Sequence, residues 1–346
     1  MKFVKPPRLK EGDTVAVLSP SRGLPSRYPQ VYELGLRNLE AKFGLEVKEF
    51  PTAREDKDVL YNNPGMRAED VNAAFRDKAV NGVIASIGGD ESIRILPYLD
   101  SKIIRANPKV LMGFSDITTL TTYVNQLGLV TFNGPMIMAG FSQIDSLPPG
   151  FTEHIRQILF GFEPPYEYAT FDFYSEGYPE WAEEENLGRV NPPKMISGWN
   201  WLQGGSLVRG ELFGGCADVL EWLKGTEFWP RSDFWQGKIL FLETSEEVPG
   251  PLRVKRWLRS YGIQGVFEKI GGILFGRARG YTDAQKRELD EAIVSVVAGE
   301  FGKPELPVVT NMDFGHTDPQ FIMPLGARAE IDSKNRRFRL LESPVE

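Results

Sequence analysis

The sequence predicts an α/β fold with parallel sheet. Three observations lead there. Short apolar runs alternate with segments of helical period. The runs are apolar almost throughout instead of alternating in and out, as in sheets covered on both faces. The alternation also occurs twice, on either side of an aperiodic stretch, so two α/β regions are expected.

In chain order, "TVAVLSP" (from Thr14) reads as a buried strand, followed by the helical "YPQVYELGLRNLEAKFG". "LEVKEF" is a second strand and Arg67 to Lys78 a second helix. "GVIASIGG" is a third strand, closing on paired glycines. "KVLMGF" is a fourth, leading into the helical "DITTLTTYVNQLG", and "LVTFNG" is a fifth. Residues 162–205 then lose periodicity while staying rich in proline, glycine, acids and aromatics. A stretch this long without periodicity reads as a functional loop or a linker, and its aromatics argue against disorder. Order returns with "RGELFGG" and helical "CADVLEWLKG", the strand "KILFLET", helical "PLRVKRWLRSYG", the strand "IGGILFG", the amphipathic "DAQKRELDEAIVSVVAGEFG" and the strand "LPVVTNM". The end, "ARAEIDSKNRRFRLLE", reads as a hairpin turning at Ser333 to Asn335. The expected division is 1–161, a loop insert over 162–205, and 206–346.

With 346 residues, the chain is long enough for two cores. Forty basic against forty-seven acidic side chains leave −7, which argues against nucleic acid as a partner. The single cysteine, Cys216, excludes an internal disulfide and a cysteine-rich metal site, and suggests a reducing compartment. The opening residues carry charges and a proline pair where a signal peptide needs an apolar stretch, and no run approaches a membrane span. A cytoplasmic protein is expected, with no metal and no cofactor.

Only two histidines are present, His154 and His316, which narrows any imidazole chemistry at once. His154, among charges on a helix, is expected at the surface. Ser115, Glu243 and His316 each follow a strand, and ligands of doubly wound sheets gather at strand carboxyl ends. A serine hydroxyl needs a base to become nucleophilic, and the imidazole needs a carboxylate to hold its tautomer. These three residues meet both needs in the chain order Ser–acid–His. Locally, however, Ser115 before Asp116 also reads as a helix cap. Gly89 and Asp116 offer backbone N–H groups for an oxyanion, although Gly88 and Gly89 also suit a plain strand-to-helix turn. "GFSDI" is not the G-x-S-x-G elbow, and "DFG" at Asp313 lacks the other kinase motifs. Cys216 is expected to be a small buried residue.

Taken together, "GFSD", "IGGD", "FLET" and "DFGHT" resemble the LD-carboxypeptidase family of serine peptidases, which includes microcin C immunity proteins. The resemblance runs from "LKEGDTVAVLSPS" through "GILFGR" to "PLGARAEID". It implies a Rossmann-like N-terminal domain and a smaller C-terminal α/β domain with a β-rich core. It also implies a triad of Ser115, Glu243 and His316, an oxyanion hole at Gly89 and Asp116, no metal, and usually a homodimer. The long aromatic stretch resembles the immunity branch, which cleaves an amide between an acidic aminoacyl group and a nucleotide-like moiety. On that reading Trp181, with Trp199 and Trp201, stacks on the base. The family often has asparagine where Cys216 stands, which bears on substrate choice. The rival substrate is an LD-linked murein tetrapeptide. The rival class is a non-catalytic protein that holds a small ligand between two α/β regions.

Overall fold

The near-continuous apolar runs of the first region pair in parallel. The computed structural model describes residues 2–346. Strands β1 (Thr14–Leu18), β2 (Glu46–Glu49), β3 (Val80–Ala85), β4 (Val110–Met112) and β5 (Thr131–Asn133) lie in the order β5-β4-β3-β1-β2. Helices Pro29–Phe43, Pro64–Arg76 and Thr118–Gln126 connect them. The first of these shows why the boundaries are readable. Pro29 opens it, where a missing N–H costs nothing, and Gly44 closes it at φ 65, donating its N–H to Glu40 O.

Residues 162–205 are not a free loop. They form β6 (Tyr166–Glu167), β7 (Phe173–Glu176), β8 (Lys194–Met195) and β9 (Asn200–Gln203). These strands are short, and β6, β7 and β9 each pair with a strand far along the chain, so no local period marks them. The remaining strands are β10 (Leu207–Cys216), β11 (Ile239–Glu243), β12 (Gly272–Gly276), β13 (Val308–Met312), β14 (Thr317–Asp318), β15 (Met323–Leu325), β16 (Arg328–Asp332) and β17 (Arg337–Leu340). Strands β10 to β13 form the parallel centre of an eight-stranded sheet ordered β6-β17-β16-β10-β11-β12-β13-β9, so β6 and β9 are its edges. The hairpin at the end of the chain is β16–β17. A small third sheet joins β14, β7 and β8.

Strand β15 was not legible in the sequence. Its three residues pair antiparallel with β5, so the C-terminal part of the chain adds a strand to the N-terminal sheet. The backbone between β13 and β15 therefore passes from one sheet to the other, and His316 lies on that passage.

The expectation for His154 is corrected. Its side chain lies on the apolar face of helix Pro149–Phe160 with Phe151, Ile155 and Ile158, and it is 3% exposed. Flanking Glu153 and Arg156 suggested a surface position, yet the 3.6-residue period sets 154 with 151, 155 and 158. Its Nδ1 lies 2.7 Å from the Tyr166 hydroxyl, and its Nε2 accepts the Ile322 N–H at 2.7 Å. Burial lowers its pKa to about 3. Among the described residues no helix is long and apolar enough to cross a membrane.

A neutral buried imidazole makes stability depend on pH. With a folded pKa below the ordinary 6.5, the unfolded chain binds the extra proton between pH 6.5 and 3. Stability is therefore lost as pH falls through that window. His154 alone should remove about 1.5 kcal/mol between pH 6.5 and 5. Denaturant unfolding across this range should show that slope in wild type and its loss in His154→Gln. Equal slopes would contradict the assignment.

Candidate active site

Gly113 and Phe114 follow strand β4, and the chain then turns sharply into a short 3-10 turn at Ser115–Ile117. Ser115 takes φ 60, a left-handed conformation rare for a residue with a side chain. Among the described residues, its hydroxyl is hydrogen-bonded only to His316. The hydroxyl points towards His316. Ser115 Oγ lies 3.0 Å from His316 Nε2, and His316 Nδ1 lies 2.7 Å from Glu243 Oε2. The three residues come from three strand ends, separated by 201 and 73 positions.

Glycines make room for this chain of contacts. A Cβ on Gly315 would stand 2.7 Å from Glu243 Cβ, and one on Gly276 would stand 2.9 Å from the same atom. Glu243 is fully buried, and its second oxygen, Oε1, has no hydrogen-bond partner. The Phe114 ring packs edge-on against the imidazole at 5.1 Å. The loop carrying His316 is anchored at its start by Asp313, which accepts from Arg277 Nη2 at 2.7 Å and from Trp199 Nε1 at 2.8 Å. Its far side is held by Asp318, which accepts from the Tyr178 hydroxyl at 2.6 Å.

Electrostatics favour the charged imidazole. Burial alone would lower the His316 pKa, but Glu243 and Glu246 together raise it to about 10. Glu246 was not singled out from the sequence. Its Oε2 lies 2.9 Å from His316 Nε2, the nitrogen that also faces Ser115.

Gly88 and Gly89 lie directly against the serine turn. A Cβ on Gly88 would approach Ser115 Oγ to 3.3 Å, and one on Gly89 would approach Ser21 Oγ to 2.3 Å. Among the described residues, neither the Gly89 nor the Asp116 N–H is spent on a backbone hydrogen bond. The Asp116 side chain fastens the two loops together. Its Oδ2 accepts from Ser21 Oγ at 2.5 Å, Ser92 N–H at 2.8 Å and Glu91 N–H at 3.0 Å. Ser92 Oγ in turn donates to the Asp116 carbonyl. Ser21 and Ser92 could not be found from sequence, since nothing local distinguishes them from other loop serines.

A cavity opens at Ser115 and His316, with Leu24, Met136, Tyr178, Trp181, Arg22, Arg279 and Glu246 on its walls. On this wall Trp181 is stacked on Tyr178 at 5.5 Å and 28°. Trp199 and Trp201 do not line it. Trp199 is tied to Asp313, and Trp201 lies in β9, paired with β13. Their expected place at the ligand is corrected: they pack beneath the site. Cys216 is buried as expected, donating its N–H to Thr118 Oγ1 at 3.1 Å. Its sulfur, Glu243 and His316 are the one group among the described residues with ligand-type atoms close together, within 4.8 Å. Burial keeps the thiol protonated, and both imidazole nitrogens already face oxygens, so the set is arranged for hydrogen bonding.

The chain is similar to known proteins along nearly its whole length. Residues 15–134 match the LD-carboxypeptidase N-terminal domain, and residues 209–331 match the LD-carboxypeptidase C-terminal domain. A Streptomyces coelicolor relative, SCO6489, is 32% identical over 96% of this chain and 94% of its own. The Escherichia coli microcin C7 self-immunity protein MccF is 29% identical over 96% of this chain and 94% of its own. MccF in complex with aspartyl sulfamoyl adenosine superposes with a TM-score of 0.83 at 25% identity, covering 99% and 100% of the two chains. An MccF-like protein from Streptococcus pneumoniae in complex with AMP gives 0.84 at 26% identity, covering 95% and 98%. With matched domains at both ends and a relative at 32% identity along nearly its whole length, the chain belongs to the LD-carboxypeptidase family of serine peptidases.

Proposed function

We propose that this protein hydrolyses an amide joining an aminoacyl group to a nucleotide-like moiety, through Ser115, His316 and Glu243. The observation that carries the reading is the unbroken contact from hydroxyl to imidazole to buried carboxylate at the floor of a cavity walled by Tyr178 and Trp181. Relatives crystallised with AMP and with aspartyl sulfamoyl adenosine support the substrate class.

In the reaction, neutral His316 takes the Ser115 proton on Nε2 as Oγ attacks the carbonyl carbon. Glu243 holds the Nδ1–H and stabilises the imidazolium. The negative charge that develops on the carbonyl oxygen is received by the Gly89 and Asp116 N–H groups, which no backbone acceptor occupies. His316 then gives its proton to the leaving nitrogen, the C–N bond breaks, and an ester to Ser115 remains. Water, deprotonated by the same imidazole, releases the acid and restores the hydroxyl. The left-handed backbone at Ser115 serves this step, because it aims Oγ out of the turn while placing the next N–H beside the same carbonyl.

A second reading, removal of a terminal residue from an LD-linked murein peptide, draws support from Arg279. Its guanidinium lines the cavity without an ion-pair or hydrogen-bond partner among the described residues, and a terminal carboxylate would satisfy it. Incubation with an aminoacyl sulfamoyl adenosine and with a murein tetrapeptide, followed by mass spectrometry, distinguishes the two.

Ser115→Ala should lower kcat about a thousandfold or more with the unfolding midpoint nearly unchanged. A folded variant at wild-type rate would remove the serine from the mechanism. Trp181→Ala should raise KM about tenfold for the nucleotide compound, as loss of one stacking partner predicts, and leave the murein peptide unaffected. Parallel loss on both substrates would argue against stacking.

A further inference from the structure

His316 Nε2 faces two oxygens, Ser115 Oγ at 3.0 Å and Glu246 Oε2 at 2.9 Å, and it cannot serve both in one protonation state. Unprotonated, Nε2 offers a lone pair that accepts the Ser115 proton and repels a carboxylate. Protonated, it donates to Glu246 and has nothing with which to take a proton from serine. The contact with Glu246 therefore marks a resting state, in which an imidazolium is held between two carboxylates.

Glu246 is placed to leave. It sits in the turn after β11, its side chain is 51% exposed, and the same turn carries Val248 at φ 52. It also stands between two cavities that meet at Ser115. One is the aromatic cavity of Tyr178 and Trp181. The other is lined by Asp90, Asp218, Ser245 and Glu247, with Arg22 as its cation. Arg22 is already paired with Asp90 at 2.8 Å, so among the described residues Asp218 and Glu247 have no ion-pair partner there. Asp218 is 8% exposed. Its Oδ2 accepts from Ser245 N–H, and among the described residues nothing donates to its Oδ1. A scissile bond at Ser115 with its nucleotide side on Trp181 would place its acyl side in this second cavity, which calls for a positive group.

We propose that Glu246 is a substrate-sensing brake on His316, released when an ammonium group on the acyl side of the substrate enters the cavity of Asp218 and Glu247 and draws the carboxylate off the imidazole. This rests on the hydrolase reading above, and it names the acyl half of the substrate as one with a free amine. Glu246 acts through His316 and is a positioning residue. The other groups around the ring are Glu243 and the Cys216 thiol from the ends of β11 and β10, Ser115 and the Phe114 ring from the β4 turn, and Asp318 bonded to Tyr178. Arg22 and Arg279 lie across the cavity and act on Glu246. The carboxylate's hydrogen bond to His316 outweighs burial and lowers its own pKa to about 2, and the raised imidazole value is the other half of that coupling. With a folded pKa of about 10, the ring carries its proton at neutral pH. Removing the Glu246 charge lowers that value and frees the base at lower pH.

The two-histidine composition makes a direct test possible. His154 stays neutral down to about pH 3, so one imidazole alone titrates between pH 5 and 11 in an NMR experiment on Cε1–H. Glu246→Gln should lower its midpoint by about one pH unit or more, a tenfold change in proton affinity. The catalytic arm uses an aminoacyl sulfamoyl adenosine and its N-acetylated counterpart. Wild type should favour the free amine about tenfold or more in kcat/KM, and Glu246→Gln should bring the ratio to about unity, mainly by speeding the acetylated compound. An unmoved titration overturns the brake. An unmoved ratio overturns the role of the amine. If wild type cleaved neither compound, the hydrolase reading would fail, while the titration would still decide whether Glu246 restrains the ring.

Discussion

The histidine of this protein must reach a serine 201 residues earlier, held in a different sheet, and the backbone from Asp313 to Leu325 is what allows it. That stretch leaves β13 in the eight-stranded sheet and ends in β15, which pairs with β5 in the other. Three interactions hold it along the way. Arg277 and Trp199 bind Asp313 at the entrance, Tyr178 binds Asp318 just past the histidine, and the β15–β5 ladder closes the far end. The imidazole cannot drift along this path without breaking one of them. The strand pairing of Thr317 and Asp318 with β7 adds the aromatic segment to the same brace. The wall that carries Trp181 and the imidazole at its foot are therefore positioned by one structural device.

The site concentrates costs that the surrounding fold offsets. Ser115 occupies a left-handed conformation, worth roughly 1–2 kcal/mol against it. Glu243 is a buried carboxylate with one oxygen unpartnered, and Arg277 and Asp313 form an ion pair shielded from water. Burying such charges disfavours folding unless each finds a partner, and removing one partner costs more than the pair itself contributes. Here His316 answers Glu243, Arg277 answers Asp313, and Asp116 is answered by Ser21, Glu91 and Ser92. Close approach of glycine backbones at 88, 89, 276 and 315 supplies the space. These groups surround one half-exposed carboxylate, Glu246.

Legibility differed between elements for physical reasons. Parallel strands buried on both faces leave long apolar runs, so β1, β3, β4, β11, β12 and β13 were each visible as written. Ser115, Glu243 and His316 were reachable because all three follow such runs. Strands β6, β8, β9 and β15 were not, since two to four residues carry no period. His154 misled because its charged neighbours in sequence lie on the opposite face of the helix. Trp199 and Trp201 misled for a related reason: an aromatic side chain reads the same whether it stacks on a ligand or roofs a loop.

By itself the amino-acid order determined which residues could do the chemistry. It confined the imidazole to two positions, excluded cysteine-based staples, and marked the strand ends where reactive groups gather. Tertiary structure decided which of those residues meet. It placed His316 rather than His154 in the crevice, turned Ser115 out of its capping role, and brought Glu246 to the same ring nitrogen as the serine. The division follows from range. Periodicity and turn chemistry act over a few residues and are written along the chain, whereas a hydrogen bond between positions 115 and 316 depends on how two sheets are joined.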